Sequence, residues 1–141
     1  MLGTHCIKTY STTQDTIALS SGEAEYYGLV RIAAHCLGIR SLLRDLDITC
    51  SIKLFTDASA AKGIASRRGA GKIRHIEVNQ LWLQEKVSCG DISVHKVDGC
   101  DNIADILTKY VERNILDRLY PRMYCELHLD RHSIAPEVDP N

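Results

Sequence analysis

No stretch of this sequence stays apolar for the roughly 18 residues that a membrane-spanning helix needs. The best run, residues 26–39, is cut by Arg31 and His35. The N-terminus, MLGTHCIKTYS, lacks the basic-then-apolar order of a secretory signal. A soluble or peripheral, intracellular chain is therefore expected. An excess of one charge sign is missing too, since 17 basic and 18 acidic side chains leave a formal net charge of -1. Bulk charge thus points to neither nucleic acid nor a membrane surface, and any such site must be local. The six cysteines (Cys6, Cys36, Cys50, Cys89, Cys100, Cys125) contain no CxxC pair. A chain of 141 residues is also large for a scaffold that depends on disulfides. They are expected to be reduced and mostly buried. Internal repeats and low-complexity tracts are lacking as well.

What remains is an ordinary globular composition, 45% hydrophobic and 25% charged, about one domain long and able to build a core. Residues 5–18 mix polar and β-branched types and predict a strand. Ser20 to Glu23 has the S-x-x-E form of a capping box and predicts a helix start. Tyr26, Leu29, Val30, Ala33, Ala34 and Leu37 then recur at helical steps, and Gly38 is a candidate end or bend before residues 39–46. Residues 51–56 alternate as a strand that runs into Asp57. Residues 58–66 are small and helix-compatible, 67–71 form a glycine-rich break, and 73–87 predict a second long helix stopped by Gly90. Residues 91–97 alternate as another strand. Asp101 offers an N-cap for a helix carrying Ile103, Ala104, Ile106, Leu107 and Ile115. The alternation favours an α/β sheet with helices on its faces. Beyond Pro121 the pattern dissolves, and residues 135–141 read as a solvated tail.

Three acids stand out: Glu25 beside the apolar helix face, Asp57 at a strand end, and Asp105 in the first turns of a later helix. Singly, each has a bland explanation as an ion-pair partner, a cap or a dipole partner. Their surroundings change this. SSGEAEYYGL, LFTDASAAKGIA, GKIRHIEVNQLWLQEKV and NIADILTKYV occur in an order and spacing that resembles the ribonuclease H domain of copia-type retrotransposon polyproteins. The resemblance runs from about Leu2 to Tyr110. It divides the chain into a partial ribonuclease H-like domain, 1–112, and a C-terminal extension, 113–141.

The resemblance implies an α/β fold with a ribonuclease H-like mixed sheet and flanking helices. It also implies a nuclease of reverse transcription that cuts the RNA strand of an RNA–DNA hybrid with Mg²⁺ or Mn²⁺. Glu25, Asp57 and Asp105 correspond to catalytic, metal-holding carboxylates, whereas Glu23, Asp91 and Asp101 match none. Hard divalent ions take oxygen ligands, and a pair of them about 4 Å apart can activate water and stabilise the departing oxygen. The family's first catalytic aspartate lies on a central first strand that would precede Met1, so both sheet and site are expected to be incomplete here. The resemblance thus leaves open whether the chain is an enzyme. The alternatives are an inactive retrotransposon-derived remnant serving as a structural or docking subunit, and a hybrid-binding module. A protein partner or upstream polyprotein segment could complete the sheet.

Between Ala58 and Ile76 there is no acid, while Lys62, Arg67, Arg68, Lys72 and Arg74 cluster around glycines. A solvated basic loop and a phosphate-binding one are about equally supported by this pattern. The resemblance tips it toward nucleic-acid contact by Arg67, Arg68, Lys72 and Arg74. Cys125, His128 and His132 have C-x₂-H-x₃-H spacing, which on a helix would set both histidines on one face. A fourth ligand is not evident, so coincidence outweighs zinc. His5, His35 and His95 read as strand or core-edge residues rather than catalytic bases.

Overall fold

A computed structural model describes residues 1–14, 16–71, 76 and 80–125, which form two compact units, one of 13–102 and one of 1–12 with 103 onward. In the larger unit, helix α1 (Ser21–Asp45) is followed by strand β1 (Ile52–Thr56), helix α2 (Ser59–Ser66), helix α3 (Trp82–Ser88) and strand β2 (Ile92–Lys96). The strands pair in parallel with Ile52 opposite Ile92 and Thr56 opposite Lys96. A parallel pair needs a crossover between its strands, and α2 and α3 lie in it. The α/β class therefore holds. The mixed sheet expected from the sequence is, among the described residues, this two-stranded parallel sheet.

The start of α1 follows its local chemistry. Ser20, in extended conformation, accepts a hydrogen bond from the Glu23 amide at 3.2 Å. The Glu23 carboxylate reaches back to the Leu19 amide at 3.0 Å, one residue beyond the expected partner, and also accepts from the Tyr27 hydroxyl at 2.6 Å. Glu23 is thus fully buried yet satisfied by donors. At the far end Asp47 takes φ 59°, and the Asp47 and Ile48 amides donate to Arg44 and Leu43, a Schellman-type stop. Gly38 neither ends the helix nor interrupts it, because nothing at that position competes with the helical bonds.

Tyr26, Leu29, Val30 and Ala33 of α1 pack with Ile52 and Leu54 of β1, Ile92 and Val94 of β2, Ile64 of α2 and Leu83 of α3. At roughly 1.5–3 kcal/mol per buried large side chain, this stripe supplies the main driving force of the unit. Asp91 joins two elements to the strand start, bonding Lys86 at 2.9 Å and meeting Arg40 at 3.6 Å. The Lys86 hydrogen bond lowers the Asp91 carboxyl below its ordinary range, and both partners remain partly exposed.

The smaller unit contains helix α4 (Asp105–Thr108), helix α5 (Arg113–Leu119) and a 3-10 turn (Tyr120–Met123), with Leu119 and Met123 buried. Its N-terminal part makes an antiparallel bridge between Leu2 and His5, and His5 lies 5.5 Å from the Tyr124 ring. Among the described residues, no helix is long and apolar enough to cross a membrane.

Several expectations are corrected. The described residues of 5–18 form no strand; instead Gln14 donates to Ala24 and Arg31 to Thr13, so side chains rather than a ladder hold this segment to α1. Asp101 is not a helix cap but lies in a 3-10 turn (Gly99–Asp101), and the continuous helix expected through Ile115 is broken. Lys109, extended at φ -133° and ψ 153°, ends α4 after one turn. The long helix expected over 73–87 is described only from Trp82, with residues 72–75 and 77–79 outside the described residues. None of the six cysteines is fully buried: Cys89 and Cys100 are exposed and the other four half-buried, with Cys36 packed against the edge of the core.

Gly22 meets Ala60 where α1 crosses α2, and a Cβ at Gly22 would come within 2.7 Å of the Ala60 methyl. Gly28, on the exposed side of the same helix, has nothing within 4 Å of such a Cβ. Gly22→Ala should therefore destabilise by about 1–2 kcal/mol, because the overpacking cost exceeds the gain in helix propensity. Gly28→Ala should stabilise by about 0.5–1 kcal/mol. Urea unfolding checks both signs, and Ala60→Gly should restore the Gly22→Ala variant.

Candidate functional site

Glu25 and Asp57 belong to the larger unit. Glu25 lies on the exposed side of α1, one turn beyond Gly22, and Asp57 stands three residues before Ala60. The Gly22–Ala60 crossing therefore draws together the two segments that carry these carboxylates. Asp57 is half-buried directly after the last residue of β1. Its approach is fixed by Thr56, a buried residue whose hydroxyl accepts from the Ala58 amide at 3.1 Å and whose carbonyl accepts from Val97 at 3.0 Å. Across from it, a Cβ at Gly99 would lie 3.7 Å from the Asp57 Oδ2. Asp57 thus sits at the carboxyl ends of parallel strands, where α/β folds commonly place ligands.

Asp105 belongs to the smaller unit, at the first position of α4, where its carboxylate accepts from Lys109 Nζ at 2.9 Å. The trio is therefore not brought together within one unit. Among the described residues no three histidine, cysteine, aspartate or glutamate side chains gather as a metal-binding group. Of the candidate zinc ligands, His128 and His132 lie outside the described residues.

Lys72, Arg74 and His75 of the basic segment also lie outside the described residues. Arg68 is exposed and Lys62 half-buried, whereas Arg67 turns inward and donates from Nη2 to the Ala70 carbonyl at 2.7 Å. A Cβ on Gly71, which has φ +61°, would lie 2.8 Å from the Arg67 guanidinium carbon, so glycine is required there. Among the described residues, Arg67 Nε is buried without a hydrogen-bond partner. The loop is also held from the other side, because the buried Gln84 donates to the carbonyls of Ile64 at 2.9 Å and Gly69 at 3.1 Å. The sequence pattern missed this role of Gln84, since a polar residue on a short helix reads as solvated until its burial is seen. Arg68 rims a pocket of about 350 Å³ with Gly69, Leu81, Gln84 and Glu85. A second pocket of about 270 Å³, lined by Tyr27, Arg31, Gln80 and Trp82 among others, contains none of the three candidate carboxylates.

The chain is similar to retrovirus-related Pol polyproteins from transposons. It is 28% identical over 110 residues to that of transposon TNT 1-94 of Nicotiana tabacum, covering 77% of this chain and 8% of the polyprotein. It is 30% identical over 115 residues to those of transposons RE2 and RE1 of Arabidopsis thaliana, again covering 79% of this chain and 8% of each polyprotein. The chain thus spans less than a tenth of the relatives it matches. No protein-family model matches it, and no solved structure does. These similarities support a retroelement origin for the chain, as a fragment of a Pol-type polyprotein.

Tyr26, fully buried in α1, donates from its hydroxyl to the Gln80 carbonyl at 2.7 Å. Burial pushes its phenol from the ordinary 10.0 up to about 12, against the opposing pull of the Arg67 charge. The fold therefore holds the neutral phenol. Its contribution to stability is full below the ordinary pKa of 10.0 and is lost as pH rises toward about 12. Tyr26→Phe should cost about 1 kcal/mol at neutral pH for the lost hydrogen bond, and should flatten the alkaline loss of stability. Denaturant melts of both proteins between neutral and strongly alkaline pH measure the difference.

Proposed function

We propose that the chain is a ribonuclease H-like segment of a retrotransposon Pol polyprotein that acts on the RNA strand of RNA–DNA hybrids. The single observation that carries this reading is the position of Asp57, half-buried at the carboxyl end of the parallel pair. The similarity to transposon Pol polyproteins supports it. The donor chemistry fits Mg²⁺ or Mn²⁺ in kind, because carboxylate oxygens are hard ligands and magnesium is commonly held by one or two protein carboxylates plus water and phosphate. Glu25 and Asp57 would hold such an ion, with Asp105 as the further carboxylate the family resemblance assigns. A divalent ion there would lower the pKa of a bound water and polarise a phosphodiester. Arg68, Lys72 and Arg74 would contact phosphates, while Arg67 braces its own turn through the Ala70 carbonyl.

One observation favours a second reading. Asp105 is engaged by Lys109 at 2.9 Å, which suits a non-catalytic hybrid-binding module or a docking remnant.

Mn²⁺-dependent cleavage of the RNA strand in a labelled hybrid distinguishes these readings. The chain alone is expected to stay at background, and cleavage is expected when it is extended upstream by a Pol segment supplying a further strand and aspartate, with a loss of about a hundredfold or more in Asp57→Asn of that extended form. Hybrid binding without cleavage by the extended form would overturn the nuclease in favour of the binding module, and neither activity would leave the docking remnant. Separately, replacing Arg68, Lys72 and Arg74 together by alanine should weaken hybrid binding and reduce the slope of log affinity against log salt by roughly three. An unchanged slope in binding titrations would remove the basic segment from the site.

A further inference from the structure

Parallel strands are ordinarily covered on both faces. Here Ile52, Leu54 and Thr56 of β1 and Ile92 and Val94 of β2 face the core, whereas Lys53, Phe55 and His95 on the opposite parity are exposed. Phe55 is 60% exposed. It is paired in register with His95, and the two rings stack with centroids 5.4 Å apart and planes inclined by 30°. The His95 Nε2 lies 3.0 Å from the Ser93 hydroxyl, which restrains the imidazole from the same strand. A lone exposed phenylalanine needs no explanation. A ring held against a second ring on a rigid strand pair is different, because its orientation is fixed before anything binds.

We infer that this face, open among the described residues, is a stacking platform for unpaired bases of a single-stranded nucleic acid, with Phe55 and His95 as its rings. Aromatic faces accept any base and need no sequence-specific contact. Charge complementarity points to the same occupant: Lys53, exposed and two residues before Phe55 on the same parity of β1, can meet a backbone phosphate beside the rings. A protein partner is disfavoured because the apolar part of this face is essentially one phenylalanine, far below the area of a stable protein interface, about 1,200 Å² or more. A duplex is disfavoured because its bases are already stacked on each other. Asp57 follows Phe55 by two residues, so a strand leaving the platform along β1 runs toward the candidate carboxylates.

The inference shares the nucleic-acid class of the proposed function but does not depend on metal or on Asp57, so its test is run in EDTA. Fluorescence anisotropy with labelled oligothymidylate and a matching RNA strand should show binding by the full chain. Phe55→Ala should weaken that binding about tenfold, the lower part of the range found for losing one base–aromatic stack. Phe55→Trp should keep it and show quenching of the added indole on titration. Circular dichroism of each variant confirms that the fold is retained, which the exposure of Phe55 favours. Because single-strand binding is read in EDTA and hybrid cleavage is read with Mn²⁺, a failed nuclease and a failed platform are separately visible. Equal binding by the parent and Phe55→Ala would overturn the platform, as would absence of single-strand binding by the parent. So would sedimentation showing a dimer of the parent that Phe55→Ala dissolves, since the face would then be a protein contact.

Discussion

The larger unit depends on how closely α1 can lie on α2. At Gly22 there is no side chain to hold the helices apart, and the Ala60 methyl occupies the space a Cβ would need. Moving the helices apart would open the contact between the Tyr26–Ala33 stripe and both strands, because all of these residues share one core. A two-stranded sheet has little stability of its own. The strands hold their parallel register because the helices bury one of their faces, and the carboxyl ends that carry Asp57 hold their place for the same reason.

What could be read in the sequence was the part fixed by local chemistry. The Ser20–Glu23 cap, the apolar stripe of α1 and the alternation of Ile52 to Thr56 and of Ile92 to Val94 each have causes within a few residues. Failures came where longer-range partners decide. Residues 5–18 have strand-like composition but no ladder among the described residues, and the helix expected after Asp101 is divided where Lys109 becomes extended. Phe55 was visible as an apolar residue on the polar parity of its strand, a small break in alternation whose meaning depended on finding His95 across from it. Arg67 was counted with the other cations of its loop, since nothing in the text shows an arginine folding back on its own turn.

The candidate site was legible to a similar degree. Asp57 follows from the strand that ends beside it, and the structure sets it between the Thr56 turn and Gly99. Glu25 stands on the exposed side of α1, one turn beyond the Gly22 crossing. Asp105 depends on a segment that belongs to the other unit and is held locally by Lys109, so the sequence motif alone could not place it.

The fixed ends of α1 have an evolutionary consequence. Its first turn is set by Ser20 and the buried Glu23, its crossing by Gly22, and its exit by the left-handed Asp47, only a few residues before β1. A single inserted or deleted residue within the helix would rotate everything beyond it by about 100° and turn its apolar stripe away from the strands. Copies of this element drifting in a genome can therefore accumulate substitutions along the exposed side of α1, while changes in its length are purged. Helix length, more than residue identity, should mark the copies that still fold.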